Sequence, residues 1–167
     1  MKKIAVFLVL IMSVLSFASC KEKKPSYSAF VEELKTKNPD LHYIIKDIDK
    51  NSSDELIVLK NTAITVYTSS DKISKLDSYD FYTGTTRLFL SDKKEFPGIF
   101  YFCCGGGVNH FGVVNIENNK LVSSAIFEED YSGILGEKGK IYELCENKAL
   151  IEESKRLYNE NKDIKFS

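Results

Sequence analysis

The sequence predicts an α+β fold with a mainly antiparallel β body of about six to eight strands, flanked by one N-terminal and one C-terminal helix. Three observations carry this. Apolar residues recur at helical spacing near both ends of the body, around Tyr27–Leu34 and around Leu150–Tyr158. Between them lie short runs rich in Ile, Val, Phe and Tyr, residue types that favour strands. Asn, Gly and Pro punctuate those runs, and these residues favour turns.

Tyr27, Phe30, Val31 and Leu34 fall at i, i+3, i+4 and i+7, one face of a helix from Ser26 to Lys37. Ser26 or Ser28 caps its start, and Pro39 stops it. Strands then follow at Tyr43–Ile48, Leu56–Leu59 and Ala63–Tyr67, with Asn61 in the turn between the last two. The polar stretch 68–86 holds one weak strand at Ile73–Leu76 and a loop through Thr83, Gly84 and Thr85. Arg87–Leu90 and Ile99–Cys103 read as buried strands either side of a Pro97-Gly98 turn. Phe111–Ile116 and Leu121–Phe127 flank Asn118-Asn119, a hairpin signal because Asn tolerates positive φ. After a glycine-dotted loop with a short strand at Ile141-Tyr142, a helix capped by Asn147 carries Leu150, Ile151, Ser154, Leu157 and Tyr158 on one face.

The segment before this body has a different character. Lys2 and Lys3 precede an uncharged, mostly apolar run from Ile4 to Ala18, then Phe17-Ala18-Ser19-Cys20. The run is shorter than the ~20 apolar residues that span a bilayer. A basic start, an apolar stretch and small residues before a cleavage point mark a secretory signal. The segment resembles the signal peptide and lipobox of bacterial lipoproteins, with Phe17 where that family usually has Leu. The resemblance implies cleavage after residue 19 and lipid on Cys20, hence a protein held at a membrane of the cell envelope, facing periplasm or exterior. Two or more acyl chains hold such an anchor where one is marginal. Residues 20–26 then form the lipidated Cys and a polar tether, and 27–167 a single domain.

Removing residues 1–19 leaves 21 basic and 24 acidic residues, a net charge of −3. That balance lacks the basic face a nucleic-acid partner needs. The remaining cysteines are Cys103, Cys104 and Cys145. An odd number in an oxidising compartment leaves two readings open: buried thiols, or one disulfide such as Cys104–Cys145.

One internal motif carries chemistry. Asp47, Asp49, Asn51, Ser53 and Glu55 place oxygen-bearing side chains at alternate positions. Calcium takes six to eight oxygen ligands, many from carboxylates on a curling loop. The stretch is not an EF-hand, because Val58 stands where that loop needs a bidentate Glu. It resembles the D-x-D-x-D-G-x-x-D loops of integrin-type FG-GAP repeats and similar loops in bacterial exported proteins. The resemblance implies that Asp47, Asp49, Asn51 and Glu55 ligate Ca2+ through side chains and Ser53 through its carbonyl. Ser52 stands where that family prefers Gly. The plainer reading is a solvated turn whose Asp and Asn side chains bond to nearby backbone N–H groups.

Cys103-Cys104-Gly105-Gly106-Gly107-Val108-Asn109-His110 invites a Cys–His nucleophile or a zinc site. A nucleophile needs a base within reach and an oxyanion hole, and zinc needs paired ligands at short spacing. Gly105 to Gly107 could supply the amides, but such a nucleophile usually sits at a helix N-terminus and here a loop joins two strands. For zinc the other histidine is His42 and the third cysteine is distant, and no Lys-Ser or Lys-Thr follows the glycines to complete a phosphate loop. The chain thus reads as a lipid-anchored, non-catalytic binding or structural protein, with Ca2+ as its one candidate cofactor and an envelope protein or glycan as partner. The alternative is an envelope hydrolase or enzyme inhibitor whose site is assembled from distant residues.

Overall fold

Runs such as Leu56–Val58 and Ile99–Cys103 are apolar on both faces, and each demands cover on both sides. The computed structural model, which describes residues 25–81, 85–131 and 139–167, meets that demand with four layers. Helix α1 (Tyr27–Lys37) is followed by β1 (His42–Lys46), β2 (Glu55–Lys60), β3 (Ala63–Ser69) and β4 (Ile73–Asp80). Next come β5 (Thr85–Leu90), β6 (Ile99–Gly105), β7 (Val108–Glu117), β8 (Lys120–Asp130) and β9 (Lys140–Glu143), then helix α2 (Lys148–Asn159). The strands form two antiparallel meanders, β1-β2-β3-β4 and β5-β6-β7-β8-β9. The α+β, mainly β class read from the sequence is therefore the observed one.

The two sheets share a core. Ile57 of β2, Ile64 and Val66 of β3, and Ile99, Tyr101 and Val114 of the second sheet belong to one buried cluster. Strand alternation sends the intervening side chains outward. Leu56 and Val58 meet Tyr27 and Val31 of α1 in a second cluster. Phe100, Phe102, Phe111 and Phe127 meet Ile151 and Leu157 of α2 in a third. The layers therefore run helix, sheet, sheet, helix. Ser26 caps α1 by accepting from the Ser28 N–H, and Asn147 caps α2 by accepting from that of Leu150.

Tight turns set the register. Gly106 and Gly107 both have positive φ, at 61° and 83°, and join β6 to β7 as a two-residue hairpin. Asn118 and Asn119 do the same between β7 and β8. The glycine run is thus a hairpin turn between paired strands. The described residues contain nine strands, against the expected six to eight. The weak Ile73–Leu76 strand extends to Asp80, and β7 and β8 run further at their far end. β1 stops at Lys46 because Asp47 already belongs to the acidic loop.

Residues near the end of the chain bridge the sheets. Tyr43 and Ser167 exchange two backbone hydrogen bonds, and the Ile164 N–H donates to the Leu88 carbonyl at 2.7 Å. Arg87 grips Asp163 through Nε and Nη2 at 2.8 and 2.6 Å. This bidentate pair holds Asp163 below its ordinary carboxylate range.

α2 is pinned by a buried carboxylate. Glu153, 2% exposed, accepts from Ser91 Oγ at 2.6 Å and from Arg156 Nε and Nη2 at 3.0 and 2.6 Å. Lys93 Nζ lies 2.7 Å away. Hydrogen bonds from Arg156, then Lys93 and Ser91, outweigh burial and push its pKa down to about 2. A depressed folded pKa contributes stability that is present above the unfolded value, near 4.5, and lost as pH falls toward 2. Melting across pH 7 to 2 should show a loss between pH 4.5 and 2 that flattens in Glu153→Gln. That variant should also be about 2 kcal/mol less stable at neutral pH, because charge-assisted hydrogen bonds are lost.

Candidate functional site

The acidic loop connects β1 to β2 and folds on its own side chains. Asp47 accepts from the Asn51 and Ser52 N–H groups at 3.1 and 2.9 Å, through Oδ1 and Oδ2 respectively. Asp49 Oδ1 also accepts from the Asn51 N–H at 3.1 Å, and its Oδ2 accepts from Asn51 Nδ2 at 2.7 Å. Asn51 Oδ1 accepts from the Ser53 N–H at 2.7 Å. Lys50 and Ser52 adopt positive φ, 62° and 73°. The second of these is the position where the resembled loops carry Gly, and a left-handed backbone is what Gly supplies without strain.

Glu55 opens β2 and is 2% exposed. Its Oε2 accepts from the Ile48 N–H at 3.0 Å. Ligand-capable oxygens of Asp47, Asp49 and Glu55 lie within 4.8 Å of one another. Burial pushes Glu55 up to about 7, offset in part by the Ile48 hydrogen bond and reinforced by the charges of Asp49, Asp47 and Asp54. Three of the five residues read from the sequence therefore converge. In this geometry both polar atoms of the Asn51 side chain are engaged with the loop itself, at Asp49 and at the Ser53 N–H. Ser53 and Asp54 face the polar cleft beside the loop, a cavity of about 590 Å3 that also includes Ser69 and Asp71.

A backbone hydrogen bond ties this loop to the other sheet. The Ile48 carbonyl accepts from the Gly98 N–H at 2.7 Å, where the chain enters β6. Gly98 has φ +99°, and a Cβ there would run into the Asn115 side chain and sit 2.8 Å from the Val114 carbonyl oxygen. The sequence marked Pro97-Gly98 as a turn, and the tie to the loop was not visible in it.

The pleat sends Cys104 to the face opposite Cys103 and His110. Cys103 pairs with His110 across β6 and β7, and Cys103 is buried. Cys104 packs toward the α2 side, against the phenylalanine cluster. His110 Nδ1 meets Glu128 Oε1 at 2.8 Å. Cys103, Cys104 and Cys145 are thiols in this structure, and Cys104 and Cys145 both border the α2-side cluster. The signal segment with Cys20, the Thr83-Gly84 turn and the glycines at 133 and 136 lie outside the described residues. Among the described residues no helix is long and apolar enough to cross a membrane.

No known protein family, curated protein or solved structure matches this chain.

Gly98→Ala should lower stability by about 2 kcal/mol, from overpacking and left-handed strain together. Urea denaturation reads this directly. Asn61→Gly, at a turn with φ 54°, should change stability far less.

Proposed function

We propose that this chain is a lipid-anchored protein of the cell envelope whose β body is a non-catalytic binding or structural module, braced by Ca2+ at the acidic loop. The observation that carries the brace is the convergence of Asp47, Asp49 and Glu55. Glu55 is the informative member. A buried carboxylate among like charges takes up a proton near neutrality, whereas a divalent cation would favour its ionised form. Calcium at this point would join β1 to β2 and, through Ile48 and Gly98, the first sheet to the second. The role is mechanical support for a rigid body, with the tether of residues 20–26 holding that body near a membrane.

The brace has a direct test. An ion that binds only the folded state stabilises it by ~2.7 kcal/mol at a hundredfold excess over Kd. For a domain of this size that corresponds to a rise in melting temperature of roughly 5–10 °C. Millimolar Ca2+ should produce such a rise in the wild type and none in Asp47→Ala. Equal behaviour of the two proteins, or no rise in either, rejects the brace.

The anchor is tested separately. Cells fed a labelled fatty acid should label the wild-type protein and not Cys20→Ala, and equal labelling rejects lipid attachment at Cys20.

A further inference from the structure

The inter-sheet face of the second sheet is apolar where the first sheet covers it. At the far end of β7 its composition changes. There a cavity of about 500 Å3 opens between β4 and the β6–β8 surface. The register explains its shape. Tyr101, Gly112 and Ala125 lie in one row across β6, β7 and β8, and Cys103, His110 and Glu128 in the next. The exposed Ala125 leaves a floor without bulk, and the buried Gly112 beside it lies under the Tyr101 ring. A Cβ at Gly112 would sit 2.7 Å from a ring carbon of Tyr101, so glycine is what lets that ring lie across β7. A β-bulge between Phe111 and Gly112 resets the alternation, and this brings Glu128 opposite His110.

The walls are ordered in advance. Tyr101 hydrogen-bonds Ser123 at 3.0 Å. Tyr79 of β4 sits 5.0 Å from the Phe81 ring in an edge-on contact and 6.3 Å from that of Tyr101. Tyr79 is only half-buried and borders the cavity with Tyr101. Opposite them stand His110 and Glu128, joined at 2.8 Å, with side chains 39% and 34% exposed. Burial pushes the Tyr101 hydroxyl up to about 12, so it remains a donor at any physiological pH.

This lining excludes several ligand classes. It contains no Lys or Arg, so it offers no fixed cation to a phosphate or carboxylate. Phe111, Phe127 and Ala125 add apolar surface to the lining, but an acyl chain laid here would still desolvate its phenolic, hydroxyl, imidazole and carboxylate groups without hydrogen bonds. The carboxylate faces an imidazole and is not left alone for an amine. What remains is a neutral molecule with an apolar ring face and many hydroxyls, each able to donate and accept. We propose that this cavity is a carbohydrate-binding site, in which a sugar ring packs on Tyr79 over the Ala125 floor while Glu128, His110 and the Tyr101–Ser123 pair hold its hydroxyls. The proposal deepens the binding-module reading of the body and rests on it. The site is separate from the acidic loop, which borders the cleft at the opposite, Ile116 and Asn119, end of β7.

The test is titration of the full-length protein, 15N-labelled, with maltotriose, cellotriose and chitotriose, followed by NMR and calorimetry with and without Ca2+. Tetramethylammonium serves as the cationic competitor class. The expected result is saturable binding of at least one trisaccharide, with amide shifts at Gly112, Ser123 and Ala125. Glu128→Gln should weaken it at least tenfold. Ala125→Trp, a substitution at an exposed floor position, should abolish it with an unchanged melting temperature. Glu129→Gln, at the neighbouring position of β8 that points to the other face, should leave it within twofold. Absence of binding by all three sugars, tighter binding of tetramethylammonium, or full binding by Ala125→Trp overturns the carbohydrate site and leaves the non-catalytic reading standing. Cleavage of a bound trisaccharide in the same tube upholds the site and overturns the non-catalytic reading. Loss of the calcium effect with sugar binding intact overturns the brace alone.

Discussion

The fold depends on the double-sided burial of β2 and β6. Leu56, Ile57 and Val58 are all buried, and so is every residue from Ile99 to Cys103. In a pleated strand such a run cannot be satisfied by one neighbour, since successive side chains point to opposite faces. Each fully buried Leu, Ile or Phe is worth about 1.5–3 kcal/mol relative to exposure. One sheet packed on one helix would leave half of that gain in water. Two sheets face to face, with a helix outside each, recover both halves. The outer strands obey a looser rule: β4 mixes half-buried and exposed positions, and β9 is exposed throughout.

Within that apolar frame two of the described glutamates are buried, and their surroundings drive them in opposite directions. Glu153 meets Arg156, Lys93 and Ser91, and its charge is favoured. Glu55 meets one backbone N–H and three other carboxylates, and its charge is disfavoured. The difference lies in the partners, because both are about equally hidden. A buried charge without a partner costs several kcal/mol, so a site like that of Glu55 persists where a proton or a cation completes it. The first glutamate is complete within the chain, and the second has only carboxylates as its main charged neighbours.

Sequence periodicity conveyed the class, both helices with their caps, and the main strands, because each depends on local spacing. Tyr27, Phe30, Val31 and Leu34 mark a helix whichever sheet lies beneath it. The division into two sheets was not legible, since Ile57 and Ile99 carry no mark of which partner they will meet across the core. β4 was read too short because the bulge at Val66 and Tyr67 shifts the pairing along a polar edge strand. The acidic loop was legible as alternating oxygen ligands. The inward turn of Glu55, which gives it the most perturbed carboxyl of the loop, follows from its position as the first residue of a doubly buried strand. The cavity beside His110 was invisible, because the Phe111–Gly112 bulge that opposes His110 to Glu128 is a property of pairing, and local composition does not record it.

The hydrogen bond from Gly98 to Ile48 has a mechanical consequence. Among the described residues, backbone hydrogen bonds run between the two sheets here and where the 163–167 segment touches both Tyr43 and Leu88. Elsewhere among the described residues they are held by side-chain packing across the core and by the Leu121 N–H donating to Asp77 at 3.0 Å. Backbone bonds fail abruptly. A pull applied through α1 loads the first sheet, and these two seams pass the strain to the second. The acidic loop lies in series with one of them. Its stiffness therefore helps set the force at which the sheets part, and a cation held there would act as a rivet whose strength follows the concentration of that ion.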